Sequence, residues 1–230
     1  MRTAAAGRGV FVTGTDTGVG KTRVAAALLR GLAADGFTVI GMKPVASGID
    51  AGAPVNADVA ALVAASTVAA DRADVNPYAF VPAIAPHLAA EQAGVVIDLE
   101  RCAAAFGRLA AAADRVVVEG AGGALVPLGP RTDMLDLALR LDLPVLLVVG
   151  IRLGCINHAL LSVQAIRARG LVCAGWVANR IDPAMAEADA NVADLARRLG
   201  APPTADLPWS PEPAREAPIR GAGGVFAAGT

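Results

Sequence analysis

Two lysines stand among eighteen arginines in this 230-residue chain, and each sits in a segment suited to phosphate or carboxylate chemistry. Lys21 closes the run Gly14-Thr15-Asp16-Thr17-Gly18-Val19-Gly20-Lys21-Thr22, which follows an apolar segment and precedes a good helix former. In such a loop the backbone N–H groups converge on phosphate oxygens, and the helix start adds positive potential. Glycines at 18 and 20 let the backbone come close without a Cβ. Lys21 is then placed to reach the β- and γ-phosphates, and the Thr22 hydroxyl to ligate Mg²⁺. The common pattern has glycine five places before Gly20, where this chain has Thr15; Gly14 lies one place earlier. That departure touches the first turn of the loop and leaves its Gly-Lys-Thr end intact. Lys43 opens Lys43-Pro44-Val45-Ala46-Ser47-Gly48. Against a general bias to arginine, the two lysines mark places where a compact, rotatable ammonium suits the task and a planar fork does not.

Two acids complete the set. Arg115-Val116-Val117-Val118-Glu119 is an apolar strand ending in a carboxylate, followed by Gly120-Ala121-Gly122-Gly123. An acid at a central strand tip can hold Mg²⁺, which takes oxygen ligands and commonly one or two carboxylates beside substrate phosphates. A strand-end acid in a plain turn is the alternative. Asn56-Ala57-Asp58 precedes the helical run Val59-Ala60-Ala61-Leu62. From spacing alone Asp58 is either a helix-capping acid, stabilising by roughly 1 kcal/mol, or a metal ligand.

These residues need a frame. Short apolar, β-branched runs predict strands at residues 9–13, 38–42, 115–118, 144–150 and 172–178. Alanine- and leucine-rich stretches between them predict helices at 22–34, 58–70, 99–113, 133–141, 157–169 and 183–199. Near-continuous apolar strands alternating with helices indicate an α/β fold, a mostly parallel sheet covered on both faces. The expectation is a single domain over residues 1–230. Residues 46–56 read as a loop, and the Pro- and Gly-dense stretch 202–230 as irregular, with a tail from about 210. In open α/β sheets ligands bind beyond the carboxyl ends of the strands, where both lysine segments and Glu119 would fall.

Bulk properties exclude several classes. A formal charge of −1 with scattered basic residues leaves no footprint for nucleic acid or a membrane surface. No secretory signal pattern is visible at the start. The longest apolar run, residues 143–151, is far short of the about 18 residues that suggest a membrane span. A cytoplasmic protein is the expectation. Cys102, Cys155 and Cys173 are widely spaced, matching neither a disulfide framework nor a zinc site, and read as small buried thiols. With only His87 and His158 present, a metal here is a hard cation held by oxygens.

Several segments together resemble the dethiobiotin synthetase family. Besides the two lysine segments they are Asn76-Pro77-Tyr78, Pro86-His87, Val118-Glu119-Gly120-Ala121-Gly122-Gly123, Leu153-Gly154-Cys155-Ile156-Asn157-His158 and Ala174-Gly175-Trp176-Val177-Ala178-Asn179. The likeness runs from about Phe11 to Trp209. The phosphate loop is shared with many ATPases; Lys43–Gly48 and Gly154–His158 are far more specific. The resemblance implies a P-loop NTPase-type ligase domain. It would carboxylate 7,8-diaminopelargonate with CO₂ and close the ureido ring at the expense of ATP with Mg²⁺, through a carbamate and a carbamic–phosphoric anhydride.

The resemblance also implies roles. Lys43, Lys21 and Thr17 would be catalytic, and Thr22, Asp58 and Glu119 would hold the metal. Gly18, Val19, Gly20, Lys21, Thr22, Arg23, Asp58, Glu119, Gly120, Ala121, Gly122, Asn179, Arg180, Leu207, Pro208, Trp209 and Glu212 would bind nucleotide. Asn179 would pair with the purine edge. Ser47 and Lys43 would meet the carbamate and the amines, and Gly154, Cys155, Ile156 and Asn157 would take the substrate's distal carboxylate across a homodimer interface. Asn157 as a plain helix cap stays open, His158 reads as structural, and Trp176, Trp209 and Tyr78, too few for a base-stacking surface, read as core or site walls.

Rival readings lack their own features. A partitioning-type ATPase switch commonly carries an extra lysine early in the loop, and none stands in Gly14–Gly18. A glutamine-dependent amide ligase of corrinoid synthesis needs a long amidotransferase domain, for which 230 residues leave no room. A small-molecule kinase has no use for Lys43–Ser47.

Overall fold

The computed structural model describes residues 7–50, 52–211 and 218–226. Within it a six-stranded parallel sheet runs in the order β2-β5-β1-β6-β7-β8. Its strands are β1 (Gly9–Gly14), β2 (Val39–Met42), β5 (Arg115–Gly123), β6 (Val145–Ile151), β7 (Cys173–Arg180) and β8 (Ala205–Leu207). The α/β expectation holds. Strand β1 lies inside the sheet between β5 and β6, so the loop that follows it opens at the middle of the carboxyl edge.

Alternation along β1 shows why both faces are covered. Phe11 enters a core with Ile40, Met42, Val116 and Val118 from the sheet and Phe106 and Leu109 from α5 (Leu99–Ala112). Val10 and Val12 enter the opposite core, against Val24, Leu28 and Leu32 of α1 (Lys21–Ala34). Successive strand side chains point to opposite faces, so each layer of helices receives every second residue. Helices α6 (Met134–Arg140), α7 (Cys155–Ala168) and α8 (Ala188–Leu199) fall in or near their expected positions. Helix α2 (Ala57–Ala65) ends five residues short of the expected 58–70, at Ser66, whose hydroxyl donates back to the Leu62 carbonyl.

Three expectations are corrected. Residues 46–56 are not all loop: β3 (Val45–Ser47) pairs in parallel with β4 (Tyr78–Phe80) in a separate two-stranded sheet. Between and after them stand two short helices, α3 (Arg72–Val75) and α4 (Pro86–Gln92), which were not expected. The stretch from residue 202 is not structureless, since β8 adds an edge strand to the main sheet and Ala222–Phe226 makes a 3-10 turn. Ile219, Ala222, Val225 and Phe226 are buried in the α1-side core, and the Ile219 N–H donates to the Ala27 carbonyl at 3.0 Å. Burying these apolar groups fixes a segment whose Pro and Gly content argues against regular structure.

Candidate active site

Strand register assembles the site. Met42 pairs with Val118, and Val12 with Glu119, so β5 carries Glu119 between the phosphate-loop strand and the strand that delivers Lys43. Lys43 Nζ lies 2.6 Å from Glu119 Oε1 and 2.5 Å from Asp58 Oδ2. Asn56 is the N-cap of α2, its side chain accepting the Asp58 N–H at 3.0 Å. That answers the question left by spacing: Asn56 caps, and the Asp58 carboxylate turns into the site. The Thr22 hydroxyl lies 2.7 Å from Asp58 Oδ1 and 2.9 Å from Glu119 Oε1.

Electrostatics tie the group together. Glu119 is fully buried and Lys43 is 4% exposed. Burial works against the Lys43 ammonium, but the Glu119 and Asp58 carboxylates outweigh it and hold Lys43 above the usual lysine value. Asp58 also meets a burial penalty, and the same ammonium overcomes it, holding the carboxyl below its usual value. Lys21 goes the other way: burial, opposed by Glu119 and reinforced by the Lys43 charge, lowers it to about 8. Its Nζ donates to the Asp16 carbonyl at 3.0 Å, inside its own loop.

A hydroxyl has one proton, so Thr22 can donate to only one of the two carboxylate oxygens at a time. Around an octahedral ion with bonds of about 2.1 Å, neighbouring ligand oxygens lie about 3 Å apart. The contacts of 2.7 and 2.9 Å from Thr22 match that spacing. The buried Glu119 Oε2 has no protein partner, which leaves lone pairs for a further ligand. The three residues therefore fit a small hard cation such as Mg²⁺.

The loop geometry explains its glycines. Gly20 caps α1 with a φ of 85°, and a Cβ there would meet Asn179 Nδ2 at 2.1 Å. Gly14, the displaced glycine, lies where a Cβ would fall 2.7 Å from Val19 Cγ2. The carboxamide of Asn179 is fixed beneath the loop: its Nδ2 donates to the Val19 carbonyl at 2.7 Å and its Oδ1 accepts from Arg23 Nη1 at 2.6 Å.

A cleft of about 850 Å³ opens above this cluster. Of the expected residues it is lined by Thr17, Gly18, Gly20, Lys21, Thr22, Arg23, Lys43, Ser47, Asp58, Glu119, Ala121, Gly122, Asn179, Arg180 and Trp209. The Ser47 Oγ in its wall is buried and without a hydrogen-bond partner. Val19 and Leu207 are instead packed in the core beside α1, and Gly120 is buried within β5. Pro208 contributes its carbonyl to Arg23 Nη2 at 2.5 Å. Gly154, Cys155, Ile156 and Asn157 begin α7 and do not line this cleft. Gly154 is the N-cap and no side chain caps the helix, so Asn157, two residues inside it, is not a plain cap. Glu212 lies outside the described residues.

Sequence reasoning missed part of the wall, Ala83 to Pro86 with Val126 and Ile181, and one ion pair, Arg152 Nη2 to Asp16 Oδ2 at 2.7 Å. Arg152 follows directly on the last residue of β6. Ligands sit beyond strand tips, and that rule was the signal available.

A parallel sheet with a phosphate loop after an interior strand, an acid on the neighbouring strand β5 and a second acid in the first turn of α2, defines a P-loop NTPase-type fold. MinD of Pyrococcus horikoshii, solved with Mg-ADP, superposes with a TM-score of 0.60 at 15% identity, covering 92% of this chain and 87% of that one. MinD of Aquifex aeolicus superposes at 0.57 and 19%, covering 95% and 93%. At these identities the likeness is one of fold alone. A family model described as an AAA domain matches residues 8–217. The ATP-dependent dethiobiotin synthetase BioD of Nitrosospira multiformis is 57% identical over 203 residues, 88% of this chain and 89% of the relative. The proteins of that name from Aromatoleum aromaticum and Xanthomonas oryzae are 56% and 48% identical, over 85% and 92% of this chain and 88% and 95% of theirs. The chain belongs to the dethiobiotin synthetase family, ATP-dependent cyclo-ligases of biotin biosynthesis.

Proposed function

We propose that this chain carboxylates 7,8-diaminopelargonate with CO₂ and closes the ureido ring, converting ATP to ADP and phosphate. The observation that carries the reading is the meeting of both lysines, both carboxylates and the Thr22 hydroxyl at one end of a cleft that also holds Ser47.

One substrate amine attacks the CO₂ carbon and loses a proton, giving a carbamate. A carbamate oxygen then attacks the γ-phosphorus, the bond to the β-phosphate oxygen breaks, and ADP leaves. The second amine attacks the carbamoyl carbon, loses its proton and expels phosphate. Lys21 turns from the Asp16 carbonyl to the β- and γ-phosphates, and the loop N–H groups hold the same oxygens. Lys43 lies within reach of the carbamate and offsets the charge that develops during transfer. Ser47, whose hydroxyl lacks a protein partner, hydrogen-bonds the carbamate or an amine. Thr22, Asp58 and Glu119 would hold Mg²⁺, which would supply charge neutralisation to the phosphates when bound. Holding both amines and the carbamate in one cleft makes a multi-body reaction local, an entropic gain.

Arg180 and Trp209 flank the base at the rim, with Asn179 beneath. The start of α7, Gly154 to Asn157, does not line this chain's own cleft. We assign it to the carboxylate of a substrate held by a second copy in a homodimer, since the positive end of a helix suits an anion. Among the described residues no helix is long and apolar enough to cross a membrane.

The deciding assay is mass detection of dethiobiotin from the diamine, bicarbonate and Mg·ATP. Omitting any one, or chelating the metal, should abolish product. Rapid ATP hydrolysis without the diamine and bicarbonate would instead favour an ATPase switch.

A further inference from the structure

The loop's first turn lacks the usual glycine at position 15, and the structure shows what braces it. The Thr15 N–H donates to the Val148 carbonyl of β6 at 3.0 Å. The Asp16 carboxylate then works in two directions: Oδ1 accepts the Thr17 N–H at 2.7 Å, and Oδ2 accepts from Arg152 Nη2 at 2.7 Å. The Asp16 carbonyl holds Lys21 Nζ. Asp16 is thus a hub, linked to the tip of β6 on one side, to the cleft-lining Thr17 on another and to the loop lysine on a third.

That hub carries a problem. A carboxylate in a loop that receives a triphosphate adds negative charge where negative charge must bind. Like charges at short range repel, and partial burial weakens screening. Arg152 makes an ion pair with this carboxylate, and it does not line the cleft. A partly exposed pair of this kind does little for global stability, where the usual contribution is below about 1 kcal/mol. Its effect falls on the ligand.

We propose that Arg152 is a positioning residue for nucleotide binding: it cancels the Asp16 charge and holds that carboxylate on the Thr17 N–H, so that the loop accepts a triphosphate. The inference rests on the nucleotide reading of the cleft.

The test is a set of variants in the full-length chain: Arg152→Gln, Asp16→Asn, the double variant, and Arg152→Lys. The dissociation constant for Mg·ATP is measured by calorimetric titration, with thermal melting as the control for folding. Arg152→Gln, which removes the cation paired with Asp16, should weaken binding about tenfold, with the loss seen in KM for ATP more than in kcat. Asp16→Asn should stay within about threefold of wild type, because the amide oxygen can still accept the Thr17 N–H. The double variant should bind better than Arg152→Gln by at least about threefold, since the carboxylate charge is gone. Arg152→Lys should recover most of the loss, since charge is the main requirement. A merely structural brace predicts a double variant no better than Arg152→Gln, and that result overturns the proposal. So does an Arg152→Gln protein that binds ATP as the wild type does. A wild-type chain that bound no ATP would overturn the nucleotide reading as well.

Discussion

At the inner end of the cleft, Lys21, Thr22 and Asp58 sit on first helical turns, Lys43 just past β2 and Glu119 within β5, and most of them are buried. At the outer rim, Arg180 and Trp209 stand at the last residue of β7 and just past the edge strand β8, and Trp209 is half exposed. Lys43, Thr22, Asp58 and Glu119 are held by one another, and Lys21 by the Asp16 carbonyl of its own loop, with partners at 2.5 to 3.0 Å. The rim groups are held from outside, Arg180 by Asp206 and Asp189 and the strand-end carbonyl of Pro208 by Arg23. In the interior an unmatched charge is costly and its field is weakly screened, so each group there is both necessary and sensitive. At the rim, solvent softens every loss. On the proposed reading, with chemistry inside and recognition at the edge, the two regions should respond to mutation by different amounts and in different kinetic constants.

The largest separation should come from the lysines. Lys21→Gln and Lys43→Gln should each lower kcat by roughly 10²- to 10³-fold, the usual loss of one charge-stabilising group. Circular dichroism should show the fold retained. Wild-type rates in both variants would remove the inner cluster from the chemistry. Next comes Glu119→Gln, which leaves the buried Lys43 ammonium with only the more exposed Asp58. Breaking a buried pair from one side should cost about 3 kcal/mol in urea unfolding, besides the loss of rate. An unchanged unfolding midpoint would mean that water already reaches the pair.

The same contrast governs what could be read from residues alone. Lys21, Lys43 and Glu119 were legible because lysine is rare in this chain and because an acid closing an apolar strand is conspicuous. Asp58 was ambiguous until the structure put Asn56 in the capping role. The Arg152–Asp16 pair spans 136 positions, and no local pattern signals it. Strands β3, β4 and β8 are three residues long, too short for a period of two to register. Ile219, Val225 and Phe226 were hidden by surrounding Gly, Ala and Pro, although they pack against the helix that the phosphate loop starts. The rim came from family resemblance, because an aromatic or an arginine at a strand end carries no chemistry of its own until a ligand is specified.

Rim variants should then move binding and leave catalysis alone. Trp209→Ala should raise KM for ATP roughly fivefold, the scale of one lost aromatic contact, with kcat within about twofold of wild type. A fall in kcat of the size expected for the lysines would erase the division between the two regions. The smallest effect belongs to Asp206→Asn. Arg180 donates to both Asp206 oxygens at 2.8 Å, and it has Asp189 as a second partner at 2.6 Å. Losing the charge of one partner from a largely solvated trio should change KM for ATP by less than about threefold. The double variant Asp189→Asn with Asp206→Asn tests whether the two acids share the task. If they do, its change in KM exceeds the sum of the single changes in free energy, because only then does the guanidinium lose its orientation. Strict additivity would mean that the arginine plane is set by the strand and not by its carboxylates.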